Sequence, residues 1–219
     1  VRIATFGDLV RVPGVKTSLE IARSEGAAID VVSSPMEALN MARNSTQEIV
    51  FLAVGFETTI AAIVATMAET IEAGIDNLSF LTSMRLVPPA LEALLKDPDV
   101  QLDGFILPGH VSVIIGSDGY QSLAKYPIPG VIAGFEPVHI LRAILELTRR
   151  TAHRQNGCIN QYPEVVRKEG NPLILRLFDA FFDRADAHWR GIGTLPDSSF
   201  VIKDEFATLD AVRRFGLPA

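Results

Sequence analysis

Four times in a chain of 219 residues, an apolar run ends on a glycine and hands over to polar side chains. The fullest case is Ile49-Val-Phe-Leu-Ala-Val-Gly-Phe-Glu-Thr-Thr59. A run of this length, rich in β-branched and aromatic residues, suits a strand buried on both faces, and such a strand needs helices on both sides of its sheet. Thr58 or Thr59 stands where a hydroxyl can cap the helix that follows. The same order of residues returns in Arg2-Ile-Ala-Thr-Phe-Gly-Asp8, Gly104-Phe-Ile-Leu-Pro-Gly-His-Val-Ser112 and Val131-Ile-Ala-Gly-Phe-Glu-Pro137. Four such ends predict one shared rim.

Between these runs the chain alternates strand and helix patterns. Val1 to Thr5 reads as a strand and Phe6 to Thr17 as a loop. Ser18 to Glu25 reads as a helix stopped by Gly26, and Ala28 to Val32 as a second strand. Ser34-Pro35 gives a cap and a first-turn proline for a helix that runs to about Asn44. The opening strand and a helix from Thr59 to about Ala73 follow, then a strand from Leu78 to Thr82, a short helix from Ala90 to Lys96, and strands at Gly104 to Leu107 and Gly130 to Ala133. Pro137 begins a helix with an apolar face of Ile140, Leu141, Ile144, Leu145 and Leu147. This alternation predicts an α/β fold: two facing, mostly parallel, doubly wound Rossmann-like units. In such sheets ligands bind outside the carboxyl ends of the strands, which places the glycine-rich ends around a cleft.

The predicted division is residues 1–47 as part of a first α/β domain and 48–153 as a second. Residues 154–219 are read as a connection and a C-terminal segment packing back on the first domain. Arg154 to Asn171 is polar and broken by Gly157, Pro163 and Gly170. Leu173, Ile174, Leu177, Phe178, Phe181 and Phe182 fit a buried helix face, and Trp189 to Ile202 reads as extended.

Composition narrows the function classes. With 48% hydrophobic residues the chain can fill a core. A net charge of −6 and a pI near 5.2 offer no electrostatic footprint for nucleic acid or an anionic membrane. The longest apolar helical stretch, Ile60 to Ala73, carries Glu69 and Glu72, so neither a signal peptide nor a membrane span is expected. One cysteine, Cys158, rules out an internal disulfide framework and is too few for a thiolate-built zinc or iron-sulfur site. No metal and no cofactor are therefore expected in this chain. It begins inside a strand at Val1 without an initiator methionine, which points to an internal piece of a longer protein.

The strand ends supply the candidate site. Glu57 and Glu136 both follow Gly-Phe; two carboxylates there can serve as an acid/base pair, bind a cation, hold neighbouring amides, or simply sit at helix N-termini, where the dipole favours negative charge. His110, in Pro-Gly-His-Val-Ser, is an acid/base candidate or a hydrogen-bonded turn residue. Asp8 and Arg11 are close enough in sequence to pair, on a loop that could cradle an anion but lacks the nucleotide-loop patterns. Cys158 has no motif around it and reads as an incidental thiol. His139, His153 and His188 read as surface or packing residues.

The wording of the motifs goes further. Thr5-Phe-Gly-Asp-Leu-Val-Arg-Val-Pro-Gly14, Ser34-Pro-Met-Glu-Ala-Leu39, Val54-Gly-Phe-Glu-Thr-Thr59, Pro108-Gly-His-Val-Ser112 with Ile115-Gly116, Ala133-Gly-Phe-Glu-Pro137, Asn160-Gln-Tyr162 and Trp189-Arg-Gly-Ile-Gly193 together resemble the HypD family of [NiFe]-hydrogenase maturation proteins. They occur in the family's order over nearly the whole chain.

The resemblance implies a cytoplasmic scaffold on which the Fe(CN)2CO unit is assembled, acting with a small HypC-type chaperone and a HypE-type cyanide donor. It implies two α/β domains across a cleft and, in the full-length family, a [4Fe-4S] cluster. By this match Asp8 and Arg11 belong to a first-domain loop, Glu57, Thr58 and Thr59 to the Gly-Phe-Glu-Thr-Thr motif, and His110, Ser112 and Glu136 to a second-domain rim. Their implied roles are positioning, hydrogen bonding and proton handling, not ligation. The iron-ligating cysteine motif and the cluster cysteines of the family are absent, and His139 stands where the family usually has an acidic residue. The rival reading is a small-molecule hydrolase or transferase using Glu57, His110 and Glu136; it requires all three to converge on one enclosed pocket. A purely structural interaction module is the third reading, and it requires a shallow rim.

Overall fold

The computed structural model describes residues 1–218. Two parallel sheets and one antiparallel hairpin make up its strands. The first sheet contains β1 (Arg2–Thr5), β2 (Ile29–Val31), β3 (Ile49–Gly55) and β4 (Leu78–Met84) in the order β2-β1-β3-β4, every neighbouring pair parallel. Helices α1 (Leu19–Ser24), α2 (Pro35–Arg43) and α3 (Glu57–Glu72) make its crossovers. The second sheet contains β5 (Phe105–Pro108), β6 (Pro129–Ala133) and β7 (Gly157–Asn160), also parallel, with α5 (Gly109–Ile115) and α6 (Pro137–Ala152). The α/β class and the parallel pairing follow the predicted alternation. Helix α4 (Val87–Lys96) lies between the two sheets in sequence.

The predicted break at residue 47 falls inside the first sheet. Ile49–Phe51 of β3 pair with Arg2–Ala4 of β1, and all of β3 pairs with β4, so the sheets divide between Met84 and Phe105. The polar segment Asn44 to Glu48 is a turn on the sheet's lower edge, where Asn77 donates to the carbonyls of Ala42, Ser45 and Gln47 and ties the strand starts together. These bonds pair carbonyls that the ladder leaves free and let one sheet continue through a polar gap.

The C-terminal portion covers the first unit. Helix α7 (Pro172–Phe181), capped by the Asn171 side chain, packs on α3. At Phe182 the backbone turns extended and β8 (Phe182–Trp189) pairs with β9 (Gly193–Ile202). The helix predicted through Phe182 stops one residue short, and β8 was not foreseen. Helix α8 (Ala211–Phe215) and a bridge from Phe80 to Asp210 close the free edge of β4. An edge covered this way cannot recruit another strand.

One core joins Phe51, Ile60, Met67 and Phe80 of the first unit to Phe178, Phe182 and Phe200 of the C-terminal portion. Phe178 lies 5.3 Å from Phe200 and 6.3 Å from Phe182, ring centre to ring centre. Leu107, Tyr120, Leu123 and Ile132 form a separate core in the second unit. No helix among the described residues is long and apolar enough to cross a membrane.

Candidate functional site

In the order β2-β1-β3-β4 the chain moves from β1 to one side, then to the other, so the carboxyl ends of β1 and β3 flank a topological switch point where crevices form. A crevice of about 550 Å³ lies there, lined by Phe6, Gly7, Asp8, Val32, Gly55 and Thr59 among others. Asp8 reaches it from a 3-10 turn, Gly7–Leu9, directly after β1. Gly55 closes the floor. Its φ of 152° suits glycine, and a Cβ there would stand 2.6 Å from Thr59 Cβ.

Several sequence expectations change at this rim. Thr58 and Thr59 do not cap α3: the helix begins at Glu57 with Phe56 as its cap, and both threonines lie inside the first turn. Arg11 does not pair with Asp8. Its Nε lies 3.4 Å from Glu20 Oε1, an exposed contact, because α1 brings Glu20 back over the loop; Glu20 N donates to the Val10 carbonyl.

Glu57 faces away from the crevice lining and is 2% exposed. Its Oε1 accepts from Val87 N at 2.8 Å, while Oε2 is buried without a partner. It lines a separate chamber of about 240 Å³ with Leu86, Ile115, Phe178, Arg184 and Phe200. Burial pushes its carboxyl up to about 7, against the opposing pull of the backbone N–H groups of Glu57 and Val87 and the charge of Arg184.

The second rim is built differently. His110 is exposed in the first turn of α5, its ring tilted at 49° against that of Phe135 with the ring centres 4.6 Å apart. Glu136 is exposed at the start of α6, where its carbonyl, and no side-chain oxygen, receives the first helical N–H groups. Ser112 is buried: its hydroxyl donates to the Pro108 carbonyl at 2.9 Å and lies 3.4 Å from the Tyr120 hydroxyl, so it staples α5 rather than lining a rim. Burial raises the Tyr120 phenol far above its ordinary range.

His139, read from the sequence as a surface or packing residue, packs here against Tyr162 of the Asn160-Gln-Tyr162 motif. His139 lies 5.0 Å from the Tyr162 ring and its Nε2 is 3.6 Å from Glu164 Oε1, while Nδ1 is buried without a partner. Gly134 makes room for it: a Cβ there would collide with His139 Nδ1, so Gly-Phe-Glu-Pro-Val-His folds the ring onto its own glycine.

Convergence is the test of a catalytic trio, and the arrangement fails it. The chamber that Glu57 lines contains neither His110 nor Glu136, which both stand in solvent on the other unit. A larger concavity, about 940 Å³, is at the opposite end of the first sheet, where its arginines are already engaged: Arg214 with Glu48 at 2.5 Å and Arg213 with Asp204 at 2.8 Å.

Among the described residues, no group of three or more His, Cys, Asp or Glu side chains is placed to hold a metal ion. The donor set does not fit a [4Fe-4S] cluster, which takes four thiolates: the sequence has Cys158 alone, half-buried in β7, its thiol pushed up to about 12 by burial.

Comparison with known proteins bears on this geometry directly. The HypD profile, described as the hydrogenase formation hypA family, matches residues 1–219. The chain is 41% identical over 226 residues to the hydrogenase maturation factor HypD of Azotobacter vinelandii, covering 99% of this chain and 60% of that protein. It is 40% identical over 216 residues to the Rhodobacter capsulatus protein of the same name, covering 97% of this chain and 57% of that one. For the HypD of Escherichia coli strain K12 the figures are 36% over 214 residues, 96% and 57%. The chain thus spans somewhat under two thirds of the length of the curated relatives it matches. A family profile met over every residue, with the strand-end motifs gathered on two rims, places this chain in the HypD family of hydrogenase formation proteins.

Proposed function

We propose that this chain forms the two-unit α/β scaffold of a hydrogenase maturation protein, on which the Fe(CN)2CO unit of [NiFe]-hydrogenase is assembled as cargo. The observation that carries this reading is the family match over the whole chain to relatives named for hydrogenase maturation. The geometry agrees with it. The motif residues Asp8 and Thr59 line an open crevice at a switch point, and His110 and Glu136 stand exposed on a second rim. An open rim on each unit suits the docking of protein partners better than the enclosure of a small substrate.

In this reading the partners are a small HypC-type chaperone that shares the iron and a HypE-type protein that delivers cyanide, in the cytoplasm. Asp8 and Thr59 supply hydrogen bonds at the crevice, and His110 serves proton handling at the rim, its ring packed at a tilt against Phe135. None of them ligates the iron. Thiolate ligands for the cargo and for a [4Fe-4S] cluster belong, by the resemblance, to cysteine motifs that this sequence does not contain. The hydrolase or transferase reading lacks its required convergence of Glu57, His110 and Glu136.

The test is a chimera in which this chain replaces the matching region of the E. coli relative, expressed in a strain lacking that relative. Restored hydrogenase activity supports the proposal. A chimera that accumulates to the parent's level yet restores none overturns it.

A further inference from the structure

The polypeptide crosses from the first unit to the second through Met84–Pro88, and this strap is held on every side. Arg85 N donates to the Gly55 carbonyl at 3.0 Å, Leu86 N to the Ser198 carbonyl at 3.0 Å, and the Ser199 hydroxyl to the Met84 carbonyl at 2.7 Å. The last tie, Val87 N to Glu57 Oε1 at 2.8 Å, differs from the others because its acceptor is a side chain that can change charge. Val87 is the first residue of α4, and Pro88 and Pro89 after it have no N–H to offer, so the Val87 amide is the last through which the strap can be tied at this end of the helix.

The surroundings of that carboxyl are apolar. Around the chamber α4 presents Pro88, α5 presents Ile115, and α7 presents Leu175 and Phe178. Two polar groups face Glu57 from elsewhere. Arg184 of the hairpin is exposed at the mouth, its guanidinium 5.2 Å from the Phe200 ring centre and donating to the Asp197 carbonyl at 3.3 Å. The Tyr120 hydroxyl of the second unit feels the Glu57 charge. Oε2 is buried and has no partner.

We propose that Glu57 is a proton-operated latch between the two α/β units: neutral, it stays in the apolar chamber and holds the strap through Val87; ionised, it draws water in and releases the strap. The physical basis is desolvation, since a carboxylate with one unpartnered oxygen is costly in an apolar enclosure and cheap once the enclosure admits water. In the closed form the group titrates near 7 and in an opened, solvated form near its ordinary 4.5. Linkage then makes opening grow steadily from about pH 4.5 and level off above about pH 7, with a total gain of about 300-fold. Nothing in this depends on the hydrogenase reading.

Amide hydrogen exchange measured by NMR on the whole chain tests it, because it detects even rare openings. After correction for intrinsic rates, protection of the Leu86 and Val87 amides is expected to fall about 30-fold between about pH 5.5 and about pH 8.5. At each pH it should stay below the protection of the Leu52 amide in the middle of β3, the mark of a local opening. Glu57→Gln should remove the pH dependence at the strap. Arg184→Gln, which keeps the carboxyl but removes the neighbouring cation, should move the level-off point to higher pH, and it serves equally if Glu57→Gln fails to fold. Strap protection independent of pH, equal to that of Leu52 throughout, or unmoved by either substitution overturns the latch.

Discussion

Replacing Gly55 with alanine probes the crevice floor, and its cost can be worked from the structure. Gly55 has φ of 152°, in a region that residues with a Cβ rarely enter, which costs about 1–3 kcal/mol. The new methyl would also stand 2.6 Å from Thr59 Cβ, 2.8 Å from its Oγ1 and 2.9 Å from its Cγ2. Thr59 is on the first turn of α3, which packs on the sheet and against α7, so it cannot withdraw without shifting the helix. Overpacking of this kind adds about 1–3 kcal/mol. Gly55→Ala should therefore destabilise by about 3 kcal/mol in urea unfolding followed by far-UV circular dichroism. Thr59→Ala removes two of the three contacts, so the double variant should recover about 1 kcal/mol of coupling. A Gly55→Ala loss below about 0.5 kcal/mol, or strict additivity with Thr59→Ala, would refute the reasoning.

Glu57 makes the whole fold sensitive to pH in a direction opposite to most acids. Its folded-state value, about 7, lies above the ordinary 4.5, so its contribution is fully present below about pH 4.5 and lost as pH rises through 7. Between about pH 5.5 and 8.5 the wild type should lose about 2 kcal/mol relative to Glu57→Gln in urea titrations; parallel curves would count against it. Phe178→Ala, which empties the core joining α7 to the first sheet, should cost about 3–5 kcal/mol, and a loss under 1 kcal/mol would mean that α7 is not part of that core. Ser112→Ala removes the hydroxyl that binds the Pro108 carbonyl and should cost about 1 kcal/mol in thermal unfolding without altering activity of the chimera. Arg11→Ala, whose pair with Glu20 is solvent-exposed, should leave the urea midpoint where it is.

Element types and sheet direction were legible because each buried strand carries its own terminator. The apolar runs Ile49 to Gly55, Gly104 to Leu107 and Gly130 to Ala133 read as strands of a mostly parallel sheet, and they pair in parallel. Which strands share a sheet was not legible. The polar turn before β3 looks like a boundary in one dimension and is a hydrogen-bonded corner around Asn77 in three. The short β7, Gly157–Asn160, hid in a polar stretch because only pairing with β6 identifies it, and β8 hid because Asp183, Arg184 and Asp186 interrupt any apolar alternation and only pairing with β9 identifies it.

At the strand ends, position was legible: Asp8 and Thr59 line a crevice, and His110 and Glu136 stand exposed at the other rim. Direction was not. Whether the first residue of a helix points to the crevice or under the helix depends on where the helix begins, and beginning at Glu57 rather than Thr59 turns that carboxyl inward to Val87. The Asp8–Arg11 pairing failed for a similar reason, since α1 offers Glu20 at closer range.

The central claim is that the two strand-end rims are the working face of a hydrogenase maturation scaffold. Its most direct measurement is hydrogenase activity in cells carrying the E. coli chimera with substitutions at either end of the first sheet. Asp8→Asn combined with Thr59→Val, at the crevice, should abolish activity while the protein still accumulates. Asp76→Asn, in the larger concavity at the opposite end, should leave activity as it was. Full activity in the crevice variant, or loss confined to the Asp76 variant, would contradict the account.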